Sequence, residues 1–337
     1  MTGPEGANAW AQALYGVIGV GLVVYAVTGG ADFGVGFWHW FARGPRKDQQ
    51  RKALSRAIAP IWEANHVWLI FVIVLLFSAF PKAFSAISIA LHVPIALALI
   101  GIVFRGSAYA FHSYGIQLES TRERWEQVFA ASSVITPVFL GLVVGGVGSG
   151  EIRVLGGNVT SGYFAGWTTP FALSVGVFSL FLFAMLSAVY LAADTSAELA
   201  SDFRRRALLM ECVSGVAALV TFLLAAKHAP ALHENLAGSS FSAPVQVVTA
   251  ALALATMALL WWRKYAVARL TAAAQVALVV LGFGLAMRGH FILPDVNLAN
   301  AAAHSELLPA LTLALGLGSL LLAPALAYLY WIFKRTG

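Results

Sequence analysis

One acidic residue, Glu63, stands inside an apolar stretch that runs from Ala59 to Pro81. The stretch is long enough to cross a bilayer as a helix, which needs roughly 20 mainly apolar residues. A carboxylate at membrane depth costs several kcal/mol even on lenient insertion scales, so such residues are rare and by default functional. Its near neighbours are polar or aromatic, namely Trp62, Asn65, His66 and Trp68. Glu63 is therefore the first candidate for chemistry.

Two further charged residues are expected close to Glu63. Asp32 lies in the first apolar segment, and Arg105 follows the third. Buried carboxylates hold and pass protons in membrane pumps, so this group favours a proton pathway through Asp32, Glu63 and Arg105. The alternative is structural: a buried ion pair between Glu63 and Arg105 that fixes helix packing, with Asp32 bonded to nearby backbone or to a basic side chain.

The chain offers few ligands for a metal or a haem. Of its eight histidines, only His66 and His92 fall within apolar segments. We expect His66 near the middle of its helix and His92 in the outer half of its own, which fits a haem between them poorly. The one cysteine, Cys212, excludes a cysteine metal cluster and an intrachain disulfide. We therefore expect no catalytic residue, no metal site and no cofactor held by this chain.

The composition is that of an integral membrane protein. The 337 residues are 60% hydrophobic and 11% charged, with a mean hydropathy of +0.80, whereas a soluble domain is about half apolar and a quarter charged. A net charge of +6 would suggest nucleic acid as the partner of a soluble protein. Here the basic residues lie in short loops between apolar segments, so membrane topology explains them and no nucleic-acid partner is expected.

Nine apolar segments are long enough to span a membrane, and each should be helical because lipid offers no partner for a free backbone group. The fold class is therefore an all-α membrane protein with nine transmembrane helices. The predicted spans are 11–38, 57–79, 84–104, 127–147, 169–192, 207–226, 244–262, 268–287 and 308–333.

The basic residues indicate how these spans are oriented. If the N-terminus lies outside, the loops predicted outside hold, of the 21 Lys and Arg residues, only Lys82, Arg153, Lys227 and Arg288. Basic residues accumulate in cytoplasmic loops, so this imbalance predicts an outer N-terminus and a cytoplasmic C-terminus. A miscounted helix would scramble the alternation.

The two halves of the chain share a weak sequence similarity. Ala26, Val27 and Asp32 align with Ala188, Val189 and Asp194, and a basic loop and a glutamate-bearing span follow each set. Four spans separate the copies, which predicts a parallel repeat. Residues 1–337 would then form one transmembrane domain of two four-helix bundles, 11–147 and 169–287, with a peripheral ninth helix at 308–333.

Two classes of function are compatible with these residues. One is a subunit of an electron-transport complex that takes protons from the cytoplasm to the redox centre of a partner. The other is a proton-coupled secondary transporter, for which broken helices and a midplane site between inverted repeats would be typical. The parallel repeat and the polar residues of the first three spans, all at one level, favour the first class.

Three stretches carry a family resemblance: GGADFGVGFW at 29–38, AIAPIWEANHVWLI at 57–70 and LFSAFPKAFSA at 76–86. Together with Arg105, they resemble subunit II of cytochrome bd-type ubiquinol oxidases, including the cyanide-insensitive branch. The specific motifs lie in the first third of the chain, whereas its length, nine helices and orientation agree with the family throughout.

The resemblance implies a subunit of a terminal respiratory oxidase in the bacterial inner membrane that oxidises quinol and reduces dioxygen to water. Haems, either b and d-type or b-type, are expected in a homologous haem-bearing subunit I. A small single-helix subunit is left open as a third partner.

The resemblance also implies roles for individual residues. Subunit II is expected to support haem insertion and to supply a proton route from the cytoplasm. In that route Asp32 is the acid of the first helix, Arg105 is its neighbouring arginine, and Glu63 stands where many relatives have Asp. Gly29 departs from the family pattern, since relatives often carry a second acid there, and this puts a two-acid entry in doubt.

Overall fold

The structure, a computed structural model, describes residues 8–58, 62–114 and 119–336. This part of the chain forms thirteen helices and two short β-hairpins. The long helices form where the sequence is apolar, and polar loops separate them. The helices are α1 Ala9–Trp40, α2 Lys47–Ile58, α3 Trp62–Ala79, α4 Pro81–Ala90, α5 His92–Tyr114, α6 Glu119–Gly148, α7 Pro170–Asp194, α8 Ala197–His228, α9 Pro230–Gly238, α10 Ser242–Trp261, α11 Tyr265–Ala286, α12 Leu298–Ala301 and α13 Leu307–Thr336.

Seven of these helices are long and apolar enough to cross a membrane: α1, α5, α6, α7, α8, α10 and α11. The bent pair of α3 and α4 brings the number to as many as eight, and the described apolar part of α13, Leu307–Leu322, is shorter than a span. The prediction of a multi-pass all-α membrane protein is confirmed. The full set of nine spans, the two-bundle arrangement and the orientation stay predictions.

The predicted third span, 84–104, is wrong at both ends. The chain bends by 118° between α3 and α4, and Pro81 begins α4. Proline lacks the N–H that would continue a preceding helix and is favoured at the first helical position, so α3 ends here. The next helix, α5, begins only at His92 and continues to Tyr114. Arg105 is therefore inside a long helix rather than at the cytoplasmic end of a short one.

The central helix is α7, which packs against α1, α6, α8 and α11. The second half of α1 is buried on all sides from Gly29 to His39, and α1 packs against α3, α6 and α7. Helices associate in lipid through close packing rather than through the hydrophobic effect, so small residues at the contacts matter. The helices α1 and α7, which head the two predicted repeat units, thus pack directly on each other.

The two β-hairpins lie at the ends of the long helices opposite to α2. Strands β1 Val154–Leu155 and β2 Asn158–Val159 form one antiparallel pair, and β3 His290–Ile292 and β4 Val296–Asn297 form the other. Arg153 donates two hydrogen bonds to Asp295, of 2.8 and 3.0 Å, and so ties the hairpins together. At the opposite side, Arg46 makes a similar two-bonded contact with Asp202, which joins the α1–α2 loop to α8.

Candidate functional site: a buried polar cluster between α1, α3, α5 and α6

Glycines let α1 approach its neighbours closely enough to place Asp32. A Cβ atom at Gly34 would collide with the backbone carbonyl of Phe183 and the hydroxyl of Ser187 on α7. A Cβ atom at Gly36 would collide with the side chain of Ser133 on α6. The Gly-rich stretch of the first span is therefore a helix-packing surface, as small residues are in membrane helices.

The carboxylate of Asp32 is buried at this packing surface. Asn65 of α3 donates a hydrogen bond of 2.6 Å from its Nδ2 atom to Oδ2 of Asp32. Both side chains are buried, at 9% exposure for Asp32 and 4% for Asn65. The bond also sets the depth of α3, because its first turn must lie level with Asp32, about two turns before the end of α1 at Trp40.

Arg105 is the charge that accompanies Asp32. Its side chain is 1% exposed, and its Nη2 atom donates a hydrogen bond of 3.0 Å to the backbone carbonyl of Asp32. Its Nε atom donates to the hydroxyl of Ser133 at 3.2 Å. The guanidinium also lies 5.0 Å from the ring centre of Phe33 and 5.2 Å from that of Phe129, distances at which cation–π attraction contributes.

These contacts define the Asp32 cluster: Asp32, Asn65, Arg105 and Ser133. The positive guanidinium lies close enough to interact electrostatically with the Asp32 carboxylate. A buried charge is stable only when it is paired and hydrogen-bonded, and the cluster supplies both conditions. A carboxylate held in this way can bind and release a proton while the surrounding side chains stay in place.

Glu63 is at the start of α3 and does not join the buried cluster. Its side chain is exposed on the surface of this chain. Within the described ranges it forms no ion pair with Arg105, so the alternative of a buried Glu63–Arg105 pair is wrong. Along α3 it precedes Asn65 by two residues, or about 3 Å, towards the predicted cytoplasmic side. The N-terminus of a helix favours a negative side chain in its first turn, and Glu63 occupies that turn.

The remaining predicted site residues differ in their surroundings. The His66 ring lies 5.9 Å from that of Phe33 and 6.0 Å from that of Tyr25, so it borders the Asp32 cluster. Trp68 contacts Phe71, one turn along the same helix. Trp62 begins α3, and its side chain lies outside the described residues.

Sequence reasoning missed the part of the cluster that α6 and α1 contribute. Ser133 bonds Arg105, Phe129 borders it, and Tyr25 is buried beside His66 with no hydrogen-bond partner for its hydroxyl in the described part of the chain. A signal was present for α6, because Ser132, Ser133 and Thr136 form a polar face in an apolar helix. No such signal distinguishes Phe129 or Tyr25 from ordinary packing residues.

The histidines do not form a pair suited to a haem. His66 is in the first turns of α3, whereas His92 is exposed as the first residue of α5, with its Nδ1 atom 2.9 Å from the carbonyl of Ile89. His92 is thus the first residue of a candidate span, because the bend at Pro81 moves the start of that helix. In the described ranges, no group of three or more His, Cys, Asp or Glu side chains could hold a metal ion.

Comparison with known proteins identifies the family. The family described as "Cytochrome bd terminal oxidase subunit II" matches residues 10–333. The chain is 33% identical over 215 residues to "Cytochrome bd-I ubiquinol oxidase subunit 2" of Escherichia coli, a match that covers 62% of this chain and 54% of that protein. The chain therefore spans about half the length of the first curated relatives that it matches.

A second relative matches over nearly the whole length. "Putative cytochrome bd menaquinol oxidase subunit II" of Bacillus subtilis is 23% identical over 324 residues, which are 93% of this chain and 92% of that protein.

A solved structure, "The structure of bd oxidase from Geobacillus thermodenitrificans", has the same fold. It aligns with a TM-score of 0.81 at 23% identity, and covers 98% of this chain and 100% of the solved one. With seven or more apolar spans, the chain is a multi-pass protein of the bacterial inner membrane. It belongs to the cytochrome bd terminal oxidase subunit II family.

Proposed function

We propose that the chain is the second subunit of a bd-type quinol:oxygen oxidoreductase and supports a homologous haem-bearing subunit I. Family membership over residues 10–333 is the observation that carries this proposal. The reduction of dioxygen would take place at haems, b and d-type or b-type, held by the partner subunit. Quinol would be the substrate of the complex rather than of this chain.

We further propose that Asp32 and Glu63 form a proton-uptake route from the cytoplasm. Glu63 is exposed in the first turn of α3, and at its predicted depth in the membrane an uncovered carboxylate would be costly in lipid. A partner surface or a water-filled entrance is therefore needed beside it. A proton that reaches Glu63 has Asp32 as the next acid, bonded to Asn65 one half-turn further along α3.

The residues around Asp32 explain how it could transfer a proton repeatedly. When the carboxylate gives up its proton, the hydrogen bond from Asn65 and the charge of Arg105 stabilise the anion. Arg105 is itself held by Ser133 and by the carbonyl of Asp32, so it does not need to move during the transfer. The route therefore has a fixed charge beside its deepest acid.

The alternative of a proton-coupled secondary transporter is not favoured by the comparisons. The family and each named relative are oxidase subunits. A transporter would be distinguished by solute uptake in proteoliposomes that contain this chain alone, without a haem-bearing partner.

The route is tested with Glu63→Gln and Asp32→Asn in the assembled complex. Both substitutions keep the shape of the side chain and remove the proton-binding group. We expect quinol-driven oxygen consumption in membranes to fall on the order of a hundredfold or more, the range in which a positioned proton donor contributes. Haem content should remain that of the unmodified complex in Glu63→Gln, which is the decisive variant, because Asp32→Asn also removes the counter-charge of the buried Arg105.

The matched control is Asp48→Asn, which removes an exposed carboxylate on α2, beyond the predicted cytoplasmic end of α1. It should leave oxygen consumption unchanged. Full turnover of Glu63→Gln and Asp32→Asn with intact haem would show that both acids are structural. Loss of assembled haem in Glu63→Gln would point to packing rather than to proton transfer at that residue.

A further inference from the structure

A second buried acid lies in the other half of the chain, away from the Asp32 cluster. Glu211 is near the middle of α8 and Gln275 near the middle of α11. Their side chains are 4% and 6% exposed. Gln275 donates a hydrogen bond of 2.6 Å from its Nε2 atom to Oε1 of Glu211.

This hydrogen bond does not involve the second oxygen of Glu211 or the amide oxygen of Gln275. Oε2 of Glu211 and Oε1 of Gln275 are buried and have no hydrogen-bond partner in the described part of the chain. If Glu211 were ionised, both of these atoms would be acceptors, and neither could satisfy the other. Buried polar atoms without a partner are uncommon because each costs about 1–3 kcal/mol.

No counter-charge reaches Glu211 either. On its own helix Arg206 donates to Gln50 and to the carbonyl of Phe41, and on α11 Arg269 pairs with Asp194 of α7. The helices packed against α8 and α11 carry further titratable residues, namely Tyr15, Tyr25, Asp32, His39, Tyr190, His233 and Glu234, while α10 has no charged residue. Among the described residues, none forms an ion pair with Glu211. An ionised carboxylate here would be both uncompensated and within the bilayer.

We infer that Glu211 is a proton-binding site, with the proton on Oε2 and Gln275 Oε1 as its acceptor. A carboxylic acid and a primary amide can form a cyclic pair, in which the amide N–H donates to the acid carbonyl and the acid O–H donates to the amide carbonyl. The first of these two bonds is present at 2.6 Å. One proton on Glu211 supplies the second and satisfies both remaining oxygens.

Polar side chains lie between Gln275 and the predicted cytoplasmic end of α11. Thr271 is one turn before Gln275 on α11, and its hydroxyl is 2.8 Å from that of Thr256 on α10. The Arg269–Asp194 pair lies further towards that side and joins the first turns of α11 to the end of α7. A divalent cation such as Ca²⁺ or Mg²⁺ would need about six oxygen ligands, whereas two oxygens are unpartnered here, so a proton suits the site better.

Infrared spectroscopy of the purified complex tests this inference, which does not depend on the route through Asp32. At neutral pH we expect a carbonyl band of a protonated carboxyl group that shifts in D₂O and is absent in Glu211→Gln. The glutamine variant should melt at the same temperature as the unmodified complex, because an amide–amide pair keeps both hydrogen bonds. The matched control is Glu198→Gln, which removes an exposed carboxylate from the first turn of α8 and should leave the band in place.

A second variant keeps the test decisive if Glu211→Gln does not assemble. Gln275→Leu should retain the band and move it to higher frequency, because the acid loses both of its hydrogen bonds. Identical spectra for the unmodified complex and Glu211→Gln would overturn the inference, as would an unchanged band position in Gln275→Leu. Stabilisation of the unmodified complex, but not of Glu211→Gln, by Na⁺ or K⁺ would also overturn it and assign the site to a cation.

Discussion

At the scale of single residues, Arg105 determines the character of the Asp32 cluster. A guanidinium has five N–H groups in a planar fork, and here it bonds a backbone carbonyl and a hydroxyl while its faces contact two aromatic rings. Each of these contacts offsets part of the cost of taking the charge out of water. The negative charge of Asp32 offsets more of that cost, so each residue makes the other tolerable in the membrane.

Replacement of Arg105 should therefore lower the stability of the protein, although Arg105 forms no ion pair with Glu63 within the described ranges. In Arg105→Leu the buried Asp32 loses its counter-charge, and we expect a loss of about 3–5 kcal/mol in the free energy of unfolding. Thermal or denaturant unfolding of the complex in detergent measures this loss.

Arg105→Lys provides the comparison. It retains the charge but cannot reach the Ser133 hydroxyl and the Asp32 carbonyl in the same planar geometry, so its loss should be intermediate. A lysine variant as stable as the unmodified protein would show that charge alone matters at this position. A leucine variant of normal stability would contradict the pairing of Arg105 with Asp32.

At the scale of elements, the contact between α1 and α7 is set by small residues. The atoms that a Cβ at Gly34 would meet include a backbone carbonyl, which cannot rotate away as a side chain could. Gly19 is in the same helix, yet a Cβ added there would meet no atom within 4 Å. The two glycines thus provide a matched pair for testing whether α1 is held by close packing.

We expect Gly34→Ala to lower the free energy of unfolding by about 1–3 kcal/mol, the usual cost of overpacking. Gly19→Ala should be neutral, or stabilising by about 0.5–1 kcal/mol, because alanine favours a helix interior over glycine. Melting of both variants under one set of detergent conditions makes the comparison. Equal effects from the two substitutions would argue against a tight α1–α7 contact.

At the scale of the whole molecule, basic residues are concentrated on one side of the spans. On that side, hydrogen bonds join the α1–α2 loop and α2 to α8; they involve Arg46, Gln50, Asp202 and Arg206. The other side carries the two hairpins and few basic residues. This asymmetry predicts which side is cytoplasmic, because basic loops are retained there.

Reporter fusions test the predicted orientation. Alkaline phosphatase, which is active only outside, should be inactive at the C-terminus and active when inserted between Gly156 and Gly157 in the β1–β2 turn. A cytoplasmic fluorescent reporter should give the reverse pattern. Phosphatase activity at the C-terminus would invert the orientation and, with it, the side from which Glu63 takes protons.

The sequence alone was sufficient for the class of protein and for most of its spans. A membrane helix is recognised by a local property, the length of an apolar run, so six predicted spans coincide with span-length helices, namely α1, α6, α7, α8, α10 and α11. The same local reasoning selected Asp32, Glu63 and Arg105, because a charged side chain in a membrane span is costly whatever its orientation in the folded protein. It could not anticipate the bend at Pro81, since a proline in an apolar run is compatible with either a kink or a new helix.

Only the tertiary structure decided which side chain each charge meets. Arg105 bonds the backbone of Asp32 and the hydroxyl of Ser133 instead of Glu63, because the rotation of α3 leaves Glu63 on the surface. Glu211 is hydrogen-bonded to Gln275, which lies 64 positions further along the chain, with two other helices between them in the sequence. Such partners depend on how helices rotate and slide against one another. That is settled by packing at contacts such as Gly34 with α7, and no local pattern along the chain records it.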